Sequence, residues 1–491
     1  MNLSKSLYCN AIQCNKMLWL NKYYPEEKEE VSNESVLDNG TEVGIIAKDL
    51  FGPSTDIEFN KDLTKMIEDT KKELLKDNVI ITEASFNYNN NFCSVDILKK
   101  INNNYEIYEV KSSTEIKDIY LDDISYQYYV LTNLGLNVTK SSIVYINSNY
   151  IRGEELELDK LFIIKDVTDI VISKQASVKD KIEEINNYMK QESIPKYDIG
   201  IHCVTPYKCP FFKFCTKHLP EQNIFNIRRM PNKSKFKLYK EGIYEYNKLL
   251  NTNIDWKYKE QIEFELYNKE PKINKLAIKK FLDTLSYPIY FLDFETYQQS
   301  IPEYRGIRPY EQIPFQYSLH YIEKENGKLE HKEFLSRPNI DPRRLLAESL
   351  VKDIPLNVCT LAYNMMFEKM VIKNLAKTYP DLSNHLMNIH NNMKDLMIPF
   401  KNRDYYTKDM EGSYSIKYVL PALFPNDPSL DYHNLEGVHN GSEAMSTFSN
   451  MASLSEEDQE KVRHNLLKYC ELDTYAMVKI WNKLNSIIEG E

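Results

Sequence analysis

The stretch YPIYFLDFETY, residues 287–297, decides how the second half of the chain is read. Its apolar residues form the run of a buried strand, and strand-like and helix-like segments then alternate to the C-terminus, which predicts an α/β domain. Side chains two apart on a strand share a face, so Asp293 and Glu295 project together at the strand's end. Two buried like charges side by side are costly unless a cation neutralises them, and Mg²⁺ or Mn²⁺ prefers hard oxygen ligands of this kind.

Outward from that strand lies LAYNMMFEKMVIKNLAK, residues 361–377, an apolar strand end running into a helix that would carry Asn364 and Glu368 one turn apart. Further on, LLKYCELDTYAMVKIW, residues 466–481, is an amphipathic helix with Tyr469 and Asp473 at i and i+4, on one face. Acids in this order, closed by Tyr-x-x-x-Asp, resemble the DEDD proofreading-type exonucleases of the tyrosine subclass. The resemblance implies a ribonuclease H-like domain over residues 286–491 that hydrolyses phosphodiester bonds from 3′ ends. It places Asp293 and Glu295 in the first motif, Asp473 in the last, and Glu368 where the family usually has Asp; Asp395, in KDLMIPF, is the alternative third acid. Such a set suits two divalent ions about 3.5–4 Å apart on the scissile phosphate. Tyr469, a poor base with an unperturbed pKa near 10, would by resemblance orient the attacking water. The stretch 287–487, with PYEQIPFQYSLH, GSYSIKYVLPALFP and YCELDT, also resembles the C-terminal domain of an uncharacterised bacterial family. In GSYSIKYVL, Ser413 or Ser415 is placed to cap a helix, and Lys417 either reaches a phosphate or is simply solvated.

Toward the N-terminus, residues 1–20 predict a short helix and 36–80 further helices, followed by strands in VIITEASFNY, FCSVDILKK and NYEIYEVKSS. The last two are joined by the polar INNN and read as a hairpin. Asp96 lies on the first of these; Glu109 and Lys111 face one way on the second. Asp followed by Glu-x-Lys on the neighbouring strand resembles the PD-(D/E)XK nucleases, which implies a restriction-endonuclease-like domain. Asp96 and Glu109 would then bind Mg²⁺ while Lys111 polarises water or the phosphate. In the RecB-like branch, Glu42 of GTEVG corresponds to a further metal ligand and Gln127 to a glutamine that meets the nucleic acid; Leu131 stands where that branch has tyrosine.

IHCVTPYKCPFFKFC, residues 201–215, puts five residues between Cys203 and Cys209 and again between Cys209 and Cys215, in a loop with two prolines. With Cys14 these thiolates could hold a [4Fe–4S] cluster or a tetrahedral zinc, Cys9 being the substitute for Cys14. One distant N-terminal cysteine and three clustered after the core resemble the CRISPR-associated iron–sulfur exonucleases. The expected domains are therefore 1–225, a helical, charged connector over 226–285, and 286–491. The connector opens with FNIRRMPNKSKFKLYK, in which Arg228, Arg229 and four lysines alternate with Phe236 and Tyr239. That mixture suits single-stranded nucleic acid as well as a solvated helix end.

A net charge of −10 argues against non-specific coating of a polyanion, although bound divalent ions reverse the sign locally. Eight cysteines in 491 residues are too few for a disulfide scaffold, and no segment approaches the ~18 apolar residues of a membrane span, so a cytoplasmic protein without a membrane partner is expected. The function read from these features is a metal-dependent nuclease, most simply a 3′–5′ exonuclease on single-stranded DNA ends with a second, PD-(D/E)XK site. RNA remains possible, DNA being favoured by resemblance alone. The rivals are a single exonuclease whose N-terminal domain only binds and feeds the strand, and a non-enzymatic nucleic-acid adaptor.

Overall fold

The computed structural model describes residues 3–29 and 34–490, the side chains of 34–39 excepted. It divides into two mixed α/β units, one formed by Met1–Pro220 with Gln299–Glu311, the other by Glu221–Gln298 with Gln312–Glu491. Among the described residues no helix is long and apolar enough to cross a membrane.

The first unit is built on a seven-stranded sheet. Its strands are β1 (Leu3–Ser4), β2 (Thr55–Asp56), β3 (Asn78–Tyr88), β4 (Asn91–Ile101), β5 (Asn104–Lys111), β6 (Asn137–Ile146) and β7 (Phe162–Asp166). They run in the order β2-β3-β4-β5-β6-β7, with β1 parallel to the start of β4. Asn89 and Asn90 close the β3–β4 hairpin at φ 46° and 63°, and Asn102 turns β4 into β5 at φ 53°. A two-residue hairpin loop needs that left-handed backbone, which asparagine tolerates. Because β5 and β6 are parallel, the chain crosses over through the helix Asp118–Asn133. That helix packs Ile124, Tyr126 and Val130 into one cluster with Ile81, Val95 and Ile143.

The single helix expected over 1–20 is instead β1 followed by two helices, Lys5–Gln13 and Asn15–Tyr23, broken at Cys14. Cys14 is extended (φ −164°, ψ 115°), which turns the second helix away from the first. Ser4 caps the first helix by accepting the Leu7 N–H.

In the second unit the strands are β8 (Lys272–Ile273), β9 (Ile289–Tyr297), β10 (Ile313–Ile322), β11 (Leu329–Leu335), β12 (Cys359–Ala362), β13 (Met393–Asp395) and β14 (Tyr405–Tyr406). A five-stranded sheet has the order β11-β10-β9-β12-β13, so the strand with the two acids lies in its middle, antiparallel to β10 and parallel to β12. One face of β9 gives Ile289 and Phe291 to a cluster with Met477, Ile480 and Leu484 of the helix Glu456–Glu489. The other gives Leu292 and Phe294 to Leu346, Leu350, Val371 and Ile372. Burial on both faces, about 1.5–3 kcal/mol for each such side chain, explains the unbroken apolar run.

Two domain boundaries differ from expectation. Residues 226–285 are not a free connector: Phe264 and Ile278 share the cluster of Phe291, and β8 pairs with β14. The sparse apolar residues of that charged stretch suffice to hold it to the second unit. Conversely, residues 299–311 leave the C-terminal fold for the first unit, where Ile301 packs with Val43, Ile97 and Tyr108 and the Tyr310 hydroxyl donates to the Ser112 carbonyl.

Candidate functional site

β9 delivers Asp293 and Glu295, and the 456–489 helix delivers Asp473, so that carboxylate oxygens of all three lie within 4.8 Å of one another. Glu368 stands in the first turn of the helix Met366–Thr378, only 3 % exposed, with Oε2 buried and lacking a hydrogen-bond partner among the described residues. It lies outside the tight set of three but close enough to act electrostatically on Asp293 and Glu295. Asp395, the other reading of the third acid, is occupied otherwise: its Oδ1 accepts the backbone N–H groups of Asn364 (2.9 Å) and Met397 (3.0 Å). Asn364 precedes the helix, at φ 72°, rather than forming part of it.

Burial, reinforced by Asp473, Glu295 and Glu368, holds the Asp293 carboxyl well above the usual carboxylate range. Burial with Asp473 and Glu368 does the same to Glu295. Burial pushes Glu368 to about 8 and Asp473 to about 6, the latter restrained by hydrogen bonds from Tyr432 and Tyr469. Four acids crowded in this way form a set that divalent cations would relieve.

Tyr469 is 5 % exposed, and burial beside Asp473 and Glu295 keeps its phenol protonated far above neutrality. Tyr432, which nothing in the sequence singled out, donates to Asp473 Oδ1 at 2.6 Å. Lys417, exposed in the first turn of the helix Ile416–Leu423, favours the charged forms of Glu295 and Asp473. Ser415 stands at that helix's N-cap without a side-chain bond, while the Ser413 hydroxyl accepts the Ser415 N–H. Lys417 and Tyr432 also line a groove with Phe424, His439 and Asn440. Arg228 lies over the Tyr418 ring at 4.6 Å and pairs with Glu411, and Arg229 lies over Tyr414 at 3.5 Å, so both expected cations flank the start of the helix that carries Lys417.

In the first unit Asp96, Glu109 and Lys111 do come together, in company the sequence did not reveal. Lys111 Nζ donates to Glu109 Oε1 (2.6 Å) and Asp123 Oδ2 (2.7 Å), and Lys5 Nζ donates to Asp96 Oδ1 (2.9 Å) and both oxygens of Glu109 (3.2 Å). Glu83, at φ 57° opposite Asp96, adds an acid that burial and Asp96 push to about 7. Gln127 corrects an expectation: it is fully buried and donates to Glu109 (2.6 Å) and Asp123 (3.0 Å), which removes it from any strand of nucleic acid. Glu42 hydrogen-bonds Ser300 and feels the charge of Glu303. Asp123 was legible in principle, one helical turn before Gln127; Lys5 was not.

Cys14, Cys203, Cys209 and Cys215 line one small cavity with Met17, Leu20, Ile199 and Phe211. Burial raises all four thiols, Cys203 to about 11 and Cys209 to about 12, and three of them feel Cys14 directly. The four thiols line that space without any three of them closing to within 4.8 Å of one another, a spread that suits a cluster better than a single zinc ion, and either would take them as thiolates. Cys9 is not among them; it lies in the field of Asp123 and Lys111. Gln13 fixes the loop by donating to the carbonyls of His202 (2.8 Å) and Tyr207 (2.7 Å).

Residues 290–415 match a family model described as a domain of unknown function, DUF2779. That span holds Asp293, Glu295 and Glu368 but stops short of Lys417, Tyr469 and Asp473. The chain is also similar to the uncharacterized protein UU173 of Ureaplasma parvum, 26% identical over 263 residues. The similarity covers 49% of this chain and 37% of that protein's length.

Proposed function

We propose that the second unit is a metal-dependent DEDD-type 3′–5′ exonuclease with a ribonuclease H-like core, acting on nucleic-acid ends in the cytoplasm. The observation that supports this most is the convergence of Asp293, Glu295 and Asp473 within 4.8 Å, with Glu368 buried alongside. Mg²⁺ or Mn²⁺ held there would supply charge neutralisation at the phosphate and an activated water. Tyr469, whose hydroxyl donates to Asp473, would orient that water by accepting a hydrogen bond from it, and Tyr432 also holds the Asp473 carboxylate. Lys417, Arg228 and Arg229 meet the phosphates upstream of the cut bond, where their charge offsets the chain's net −10. Single-stranded DNA is the proposed substrate, by resemblance.

The first unit carries a PD-(D/E)XK-like core stapled by a [4Fe–4S] cluster, or alternatively zinc, on Cys14, Cys203, Cys209 and Cys215. Its part is to receive the strand. The test is to incubate 3′- and 5′-labelled DNA and RNA with wild type and Asp293→Asn, with and without Mn²⁺. A ladder shortening from the 3′ end in wild type alone supports the exonuclease; retained affinity in chelator with no shortening by either protein supports an adaptor instead.

A further inference from the structure

We infer that the acid–lysine cluster of the first unit carries its own cation: the Lys5 ammonium occupies the place between Asp96 and Glu109 that a divalent metal would need, and the cluster therefore works without one. The inference stands apart from the exonuclease reading, because it concerns different residues in a different unit.

The carboxylate oxygens of that pair already have donors. Asp96 Oδ1 takes Lys5 at 2.9 Å, and Asp96 Oδ2 takes the Val110 N–H at 2.8 Å. Glu109 Oε1 takes Lys5 and Lys111, and Glu109 Oε2 takes Lys5 and Gln127. A metal binds through those same lone pairs: the four of Glu109 are all taken, so a bond there would first have to break one, and the Lys5 ammonium lies between Glu109 and the one free lone pair on each Asp96 oxygen. Charge points the same way. Four carboxyl groups, Asp96, Glu109, Asp123 and the neighbouring Glu83, face two ammonium groups, Lys5 and Lys111, whereas in the second unit the exposed Lys417 is, among the described residues, the lysine that acts on Glu295 and Asp473. The first centre has two cations built into its hydrogen bonds; the second has none so placed among the described residues.

Lys5 is not on a loose arm. It opens a helix whose Tyr8 is stacked on Tyr126 at 4.6 Å, and the Tyr126 hydroxyl donates to the Leu3 carbonyl, two residues before the lysine. Leu3 and Ser4 are held by β4 itself. The ammonium is thus delivered to the acids by the same elements that close the core. Glu109 is 1 % exposed, and the loss of Lys5 would leave it a buried charge short of a partner. On this view the acid–lysine cluster is not a hydrolytic metal centre.

The test is Mn²⁺ binding by the full-length chain, counted by paramagnetic resonance at neutral pH. Glu109→Gln should leave the number of bound Mn²⁺ unchanged; a loss of one ion per chain on that substitution overturns the inference. Lys5→Met in an Asp293→Asn, Asp473→Asn background should create a Mn²⁺ site, about 10–100-fold tighter than the background and abolished again by Glu109→Gln. Failure of a folded Lys5→Met chain to gain that site would also refute it. If Lys5→Met does not fold, the Glu109→Gln count in the wild-type chain still decides. Should Asp293→Asn leave the Mn²⁺ count unaltered, the exonuclease reading fails while the Lys5 result is read independently.

Discussion

Asp293 shows what a single buried carboxylate does when three more surround it. Its folded-state pKa lies above that of the unfolded chain, as do those of Glu295, Glu368 and Asp473, so the folded protein binds more protons and loses stability as pH rises. The loss should begin near pH 4, where unfolded acids titrate, and continue past Asp473 at about 6 and Glu368 at about 8 for as long as Asp293 and Glu295 keep their protons. Chelated protein should therefore melt lower at pH 8 than at pH 5, and Mn²⁺ should recover the difference. Asp293→Asn should stabilise the chelated protein by roughly 1–4 kcal/mol while abolishing 3′ trimming; a metal-free melting temperature that rises with pH, or intact trimming, counts against the assignment. Tyr432→Phe removes one of the bonds that restrain Asp473, so the acid limb of the pH–rate profile should move to higher pH. Tyr469→Phe should keep Mn²⁺ binding but slow turnover by about 10²-fold or more. The three acids of the tight set were legible because strand and helix periodicities fix their faces. Tyr432 and Lys5 were not, since each reaches its partner across more than forty residues with no local pattern to mark it.

At the scale of elements, the break at Cys14 matters more than the helices on either side of it. Extended backbone there aims the thiol into the cavity of Cys203, Cys209 and Cys215, while Gln13 ties the preceding turn to the 203–209 loop. The hairpins β3–β4 and β4–β5 and the crossover helix were readable from asparagine turns and β-rich runs. The split of the first helix was not, because both halves have helical composition and no glycine or proline marks the extended backbone at Cys14. If the cysteines hold the proposed cluster or zinc, Cys209→Ser should abolish iron or zinc binding by the first unit and lower its melting temperature, leaving the far-ultraviolet signal of the second unit in place. Equal melting of mutant and wild type, both metal-free, would make the cysteines ordinary core thiols.

For the whole molecule, the unit boundary at 220/221 rather than 285/286 predicts which fragments survive. A chain of residues 221–491 keeps Phe264 and Ile278 against Phe291, whereas 286–491 exposes that apolar surface. The longer fragment should be the more soluble, with a higher melting temperature, and should trim 3′ ends; sedimentation, calorimetry and the labelled-strand assay check each point. A shorter fragment equal to the longer in all three would restore the connector as a mere tether.

The excursion of residues 299–311 into the first unit bears on the order in which the protein matures as it leaves the ribosome. The sheet from β1 to β7 is complete in the nascent chain by residue 166, yet Ile301 and Tyr310, which finish its packing, are made only after β9 has been synthesised. At typical elongation rates of about 5–20 residues per second, the first unit waits several seconds, unfinished, for a segment encoded within the second. Chains released early, before residue 299, thus carry a first unit with an open apolar seam around Val43, Ile97 and Tyr108, and such products are the ones that quality-control proteases would meet first.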